Sequence, residues 1–220
     1  MSGRVGEGGR GRKPSFNPLL YLVTDPDLSL GRSEEEIVRR AVANGVTMVQ
    51  YRDKDTSTLR MIEKTRLLAD ICGPADVALI VNDRLDVAMA GGAHGVHLGQ
   101  DDMELPDARR IAGENFIIGI SVTTVGEAQD AERGGADYLG ANGVFPTPTK
   151  TDLGEPLGLK GVSQLAKASS LPIVAIGGIN AGNAGEVMSS GANGVAVVSY
   201  IVSAENIEEH CETILKVLKR

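Results

Sequence analysis

The chain of 220 residues contains no tryptophan, and Phe, Tyr and Trp together supply only 3% of it. Its core must therefore be packed from Val, Ile, Leu and Ala. Cysteine is almost as scarce. Cys72 and Cys211 stand far apart without CxxC spacing, which reads as two reduced thiols rather than a disulfide or a metal pair. With only three histidines and no His/Cys cluster at ligand spacing, zinc is not expected. No apolar run approaches the roughly 20 residues that span a bilayer. The Gly/Arg-rich opening, residues 1–17, lacks the apolar segment of a signal peptide. Positive charge is outnumbered, 22 Lys and Arg against 29 Asp and Glu, for a net charge of −7. That balance argues against general affinity for nucleic acid or anionic membrane, though a local cationic cluster can still oppose the global sign. These absences predict a soluble, cytoplasmic protein, with a disordered tail over 1–17 and one folded domain over 18–220; self-association is left open.

Glycine is plentiful, at 28 residues, and it is dispersed. Several glycines belong to a recurring phrase: Ala43-Asn44-Gly45-Val46, Gly91-Gly92-Ala93-His94-Gly95-Val96, Gly134-Gly135-Ala136-Asp137 and Ser190-Gly191-Ala192-Asn193-Gly194-Val195. Each follows an amphipathic stretch and precedes a short apolar run, the pattern of a helix ending on a left-handed glycine and feeding a strand. Eight such runs predict strands at 19–24, 47–52, 78–82, 95–98, 116–122, 138–141, 172–176 and 194–199. Helices are clearest at 33–43, 57–71, 124–133 and 204–219. Ser33 with Glu36 forms a capping box, and Ser57 and Thr124 are candidate N-caps. Eight strand–helix units in one domain predict an α/β fold, a single closed (β/α)8 TIM barrel, ahead of an open doubly wound sheet.

In such a barrel the chemistry lies at the C-terminal ends of the strands. Polar clusters fall there repeatedly: Gln50-Tyr51-Arg52-Asp53-Lys54, Asn82-Asp83-Arg84, Gly99-Gln100-Asp101-Asp102, Ser121, Phe145-Pro146-Thr147-Pro148-Thr149-Lys150, Gly177-Gly178 and Val198-Ser199. Gln50, Arg52 and Lys54 alternate, so they share a face and suit a multiply charged phosphate. The plainer alternative is a solvated strand end with ion pairs to Asp53 and Asp55. Asp83 and Asp102 end adjacent strands and could reach one magnesium ion, flanked by Arg52, Lys54 and Arg84; a lone Asp in such a place is more often a cap. Gly177-Gly178 and Ser199 occupy the usual phosphate cradle of barrels, where a following helix N-terminus helps. His97 alternates with Val96 and Leu98, which points it into the barrel; it reads as a hydrogen-bonded structural residue near the site, ahead of a catalytic base. His94 and His210 read as surface residues.

The ordered set Gln50–Lys54, Val81-Asn82-Asp83, Gly95–Asp102, Gly119-Ile120-Ser121, Phe145–Lys150, Ala175–Ile179 and Gly194–Ser199 resembles the thiamine phosphate synthase family. The resemblance implies a transferase of thiamine biosynthesis. It would condense an aminopyrimidine pyrophosphate with a thiazole phosphate, or its carboxylated form, to thiamine phosphate and pyrophosphate. Its partners are then two small phosphorylated substrates, with no nucleic acid and no membrane. It further implies that Gln50, Arg52, Lys54, Asn82, Ser121 and Lys150 bind the pyrimidine pyrophosphate. Of these, Arg52, Lys54, Ser121 and Lys150 would be catalytic. Asp83 and Asp102 would hold Mg2+, and Thr147, Thr149, Gly178, Val198 and Ser199 would bind the thiazole phosphate.

The chain departs from the family pattern in two places. Thr123 stands where many relatives carry His, two residues after the strand-five Ser. Gly140-Ala141-Asn142-Gly143 replaces Gly-x-Gly-Pro, which predicts a looser loop and a Lys150 ordered by substrate. The alternatives are a thiazole tautomerase-like isomerase, whose proton-transfer His would be missing at Thr123, and a non-catalytic phosphate-ligand-binding barrel.

Overall fold

A computed structural model of the chain describes residues 14–147 and 155–219. Eight parallel strands run β1 (Leu20–Val23), β2 (Met48–Tyr51), β3 (Ala78–Asn82), β4 (Gly95–Leu98), β5 (Ile117–Val122), β6 (Tyr138–Asn142), β7 (Ile173–Ile176) and β8 (Gly194–Val197). Each pairs with its neighbour in sequence, and β8 returns to β1 through the register Leu20↔Val195 and Leu22↔Val197. The sheet is thus a closed barrel, and the open-sheet alternative is excluded.

The helices are α1 (Glu34–Ala43), α2 (Thr58–Cys72), α3 (Leu85–Gly91), α4 (Leu105–Ala112), α5 (Val125–Arg133), α6 (Gly158–Ala168), α7 (Ala184–Ser189), α8 (Ser199–Val202) and α9 (Ile207–Leu218). Their starts are set by side-chain caps. Ser33 accepts from the Glu36 N–H, Ser57 from the Arg60 N–H, and Thr124 with Glu127 forms a reciprocal capping box. The recurring glycine phrases do what their sequence implies: Gly45, Gly92, Gly135 and Gly191 all have φ between +77° and +106°, a range side chains disfavour.

Two boundaries differ from expectation. The eighth strand stops at Val197, and Ser199 opens α8 instead of ending the strand. The last helix starts at Ile207, where the Asn206 side chain accepts from the Glu209 N–H. Ala204 is buried ahead of it, and Arg32 binds the Ala204 and Val202 carbonyls at 2.7 Å each.

The period-two alternation of the strands divides the core. Leu22, Val49, Leu79, Val96 and Ile118 face the helices, within one large apolar cluster. Tyr21, Val23, Met48, Ile80, Ile117, Tyr138 and Val174 fill the barrel itself. Phe16 closes the floor, its ring centroid 5.6 Å from that of Tyr138. Packing therefore begins inside the stretch expected as tail. No helix among the described residues is long and apolar enough to cross a membrane.

Candidate active site

At the C-terminal mouth of the barrel lies a cavity of about 630 Å3. Its lining includes Gln50, Arg52 and Lys54 from the end of β2, Asn82 and Asp83 from β3, Asp102 from the loop after β4, and Ser121 from β5. Across from them it is lined by Thr147, Gly177, Gly178, Val198 and Ser199. Every residue expected to bind substrate or metal, or to be catalytic, that lies within the described residues reaches this one cavity. Thr149 and Lys150 fall outside the described residues, as do positions 1–13 of the expected tail.

Arg52 does not pair with Asp53 or Asp55, the plain alternative for that segment. Its Nη1 donates to Asp25 Oδ2 at 2.9 Å, and its backbone N–H donates to Thr24 Oγ1 at 3.0 Å. Asp53 instead accepts from the N–H groups of Asp55 and Thr56, holding the turn after β2. Asp25 is buried and was missed in the sequence, although an acidic residue directly after the first strand is the same signal that singled out Asp83. Arg84 is a second correction. It turns to Asp86 and Thr58 on the outer side and does not line the cavity.

Asp83 sits at φ +61°, a left-handed conformation unusual for a residue with a side chain. Its N–H is held by the His97 carbonyl at 2.8 Å. Burial raises the Asp83 pKa to about 6, and the Asp102 carboxyl beside it pushes the same way, against the pull of Lys54 and Arg52. Asp102 Oδ2 accepts from the Gly99 N–H at 2.6 Å, which fixes its direction. Two carboxyls crowded together form a hard oxygen donor pair. Magnesium fits such a pair when phosphate oxygens complete its shell. Among the described residues no group of three or more His, Cys, Asp and Glu gathers at one point.

On the opposite wall, Gly177 and Gly178 have φ of +113° and +63°. A Cβ on Gly178 would come 2.8 Å from the Pro146 carbonyl oxygen, and one on Gly177 2.9 Å from the Gly143 Cα. Glycine is thus required by both conformation and space. The expected looseness after β6 is not seen up to Phe145. Val144 and Phe145 donate to the Ile176 and Gly177 carbonyls at 3.0 and 3.1 Å, and Gly143 takes φ +72°, which proline cannot adopt.

The histidines divide differently from expectation. His97 points inward and is hydrogen-bonded, as predicted. His94 is half-buried, its Nδ1 accepting from the Leu79 N–H at 3.0 Å, and burial lowers its pKa. The His210 ring packs at a tilt against Tyr200, centroids 4.6 Å apart, and lines the cavity, so neither is a plain surface residue. Thr123 is not part of the lining; its hydroxyl donates to Glu127 at 3.1 Å, leaving no proton-transfer group at that position.

The family model described as thiamine monophosphate synthase matches residues 20–201. A thiamine-phosphate synthase from Chloroflexus aurantiacus is 50% identical over 188 residues, covering 86% of this chain and 87% of the relative. One from the archaeon Methanocella arvoryzae is 48% identical, covering 86% of this chain and 89% of the relative. The solved thiamine phosphate pyrophosphorylase from Pyrococcus furiosus superimposes with a TM-score of 0.85 at 40% identity, over 92% of this chain and 96% of that one. The chain belongs to the thiamine monophosphate synthase family, transferases here built on a single closed (β/α)8 barrel.

Proposed function

We propose that the two walls of the cavity hold two phosphorylated substrates facing each other, a hydroxymethylpyrimidine pyrophosphate and a thiazole phosphate. On this reading Arg52 and Lys54 bind the pyrophosphate, with Lys150 joining them from the loop after β6. Gln50, Asn82 and Ser121 orient the pyrimidine. The backbone of Gly178 and Val198, the backbone and hydroxyl of Ser199, and Thr147 and Thr149 take the thiazole phosphate.

Asp83 and Asp102 would hold magnesium. Bound there, the ion would offset charge on the departing pyrophosphate. The chain's own part is to bind and align. The thiazole nitrogen displaces pyrophosphate at the pyrimidine methylene, the C–O bond breaking with strong carbocation character. No side-chain nucleophile is needed. The cations neutralise the leaving group, and the two cradles set the line of attack.

The observation that carries this reading is the lining of a single cavity by an acid pair and cations on one wall and a glycine cradle on the other. The test mixes both substrates with Mg2+ and measures thiamine phosphate and pyrophosphate. Both products appearing together supports it. Binding of both ligands without product would favour the non-catalytic phosphate-binding barrel.

A further inference from the structure

A chain of hydrogen bonds crosses the floor of the cavity and joins two residues of its lining, Gln50 and Ser121. Gln50 Nε2 donates to Tyr21 Oη at 2.9 Å, Tyr21 Oη lies 3.0 Å from Tyr138 Oη, and Tyr138 Oη lies 2.9 Å from His97 Nδ1. His97 Nε2 then lies 2.9 Å from Ser121 Oγ. The middle of this chain is sealed: Tyr138 is 0% and Tyr21 2% exposed. Burial raises the pKa of both phenols far above their ordinary range, so each keeps its single proton.

Single protons give the chain a direction. Tyr21 accepts from Gln50, so its own proton goes to Tyr138. The assignment that leaves no buried proton without an acceptor has Tyr138 donating to His97 Nδ1. A neutral imidazole that accepts at Nδ1 carries its proton at Nε2, and donates it to Ser121 Oγ. Two consequences reach the cavity. The Gln50 amide presents its carbonyl oxygen as an acceptor, and the Ser121 hydroxyl has its own proton to give.

The sequence makes room for this chain at a cost in packing. A Cβ on Gly119 would come 2.1 Å from the Tyr138 ring, and one on Gly140 2.9 Å from the His97 ring. Neither glycine is among those with positive φ, so backbone conformation does not explain them. They are spaces for the two rings. An apolar filling of the same barrel would need no such matched set of donors and acceptors.

We infer that Tyr21, Tyr138 and His97 are positioning residues that fix Gln50 as an acceptor and Ser121 as a donor toward the pyrimidine pyrophosphate. The inference rests on the reading that this substrate lies between β2 and β5. Such a polarity selects a ring bearing an amino group for Gln50, with an acceptor atom, a ring nitrogen or a phosphate oxygen, for Ser121.

Two readouts test it. In the ligand-free protein, 15N NMR should show His97 protonated at Nε2, and Tyr138→Phe, which removes the hydroxyl that donates to Nδ1, should disturb that tautomer. In steady-state kinetics, Tyr138→Phe and Tyr21→Phe should each raise KM for the pyrimidine pyrophosphate about tenfold, the scale of one lost buried hydrogen bond. KM for the thiazole phosphate should stay within about twofold, which general loosening of the barrel would not allow. A His97 proton at Nδ1 in the unaltered protein, or pyrimidine KM values unchanged in both variants, would overturn the inference. Absence of thiamine phosphate from the unaltered protein would instead overturn the substrate reading, and the tautomer would still decide the chain's polarity.

Discussion

Asp25 and Arg52 form an ion pair at 2.9 Å between the ends of β1 and β2, with the Asp25 side chain only 9% exposed. The pair aims the guanidinium across the wall that carries Lys54 and Asp83. The same short segment continues into Ser29 and Arg32, which tie it to α8 through the Val202 and Ala204 carbonyls. The cationic wall and the glycine wall therefore share a support.

Asp25→Ala should leave Arg52 without its partner in a largely desolvated place. The partial exposure of Arg52 reduces the penalty of a fully buried pair to about 2 kcal/mol, or roughly 5 °C in Tm for a chain of this size. KM for the pyrimidine pyrophosphate should rise about tenfold. Thermal melts and steady-state kinetics check both, and an unaltered KM would show that Arg52 needs no aiming.

The Asp83–Asp102 pair predicts a pH-dependent response to magnesium. In the metal-free protein the folded pKa of Asp83 is raised from 3.8 to about 6. Between those values the folded state keeps a proton that the unfolded state has lost. This group's contribution to stability is thus greatest at low pH and is lost as pH rises through about 6. Magnesium bound at the pair would replace the proton and should restore stability above that point. The Mg2+-induced rise in Tm should be larger at pH 7.5 than at pH 5 and should be nearly abolished in Asp102→Ala. Equal shifts at both pH values would contradict the assignment.

Ser199→Ala separates the two walls. Removing one hydroxyl from the phosphate cradle should raise KM for the thiazole phosphate roughly fivefold while that for the pyrimidine pyrophosphate changes little. Parallel loss of both would place Ser199 elsewhere in the mechanism.

Gly119→Ala probes the space inside the barrel. The added methyl meets the Tyr138 ring and the backbone of a closed sheet cannot retreat far, so a loss of about 1–3 kcal/mol is expected. Calorimetry should show Tm lower by roughly 3–10 °C.

The barrel was legible because its signals are local and repeated. Gly45, Gly92, Gly135 and Gly191 each close a helix, and the alternation of short apolar runs needs no long-range information. The candidate site was legible for a similar reason: Gln50, Asp83, Asp102, Ser121 and Gly178 all lie near or just past the C-terminal ends of strands, and the barrel brings strand ends together. What escaped depends on partners distant in sequence. Asp25 acquires its role only beside Arg52, 27 positions later. Arg84 looked like a site cation until Asp86 took it outward. Tyr21 and Tyr138 carry no signal of their own in the sequence, because nothing local tells that their hydroxyls meet across the barrel, 117 positions apart. Gly143 was read as looser than the proline of the family pattern, yet its left-handed backbone is pinned against β7.

The most direct test is a diffraction experiment on crystals holding Mg2+ and pyrophosphate. The account predicts one metal ion bound by both Asp83 and Asp102, with the pyrophosphate bridging from it to Arg52 and Lys54. A pyrophosphate resting on Gly178 and Ser199, with no metal between the two carboxylates, would contradict it.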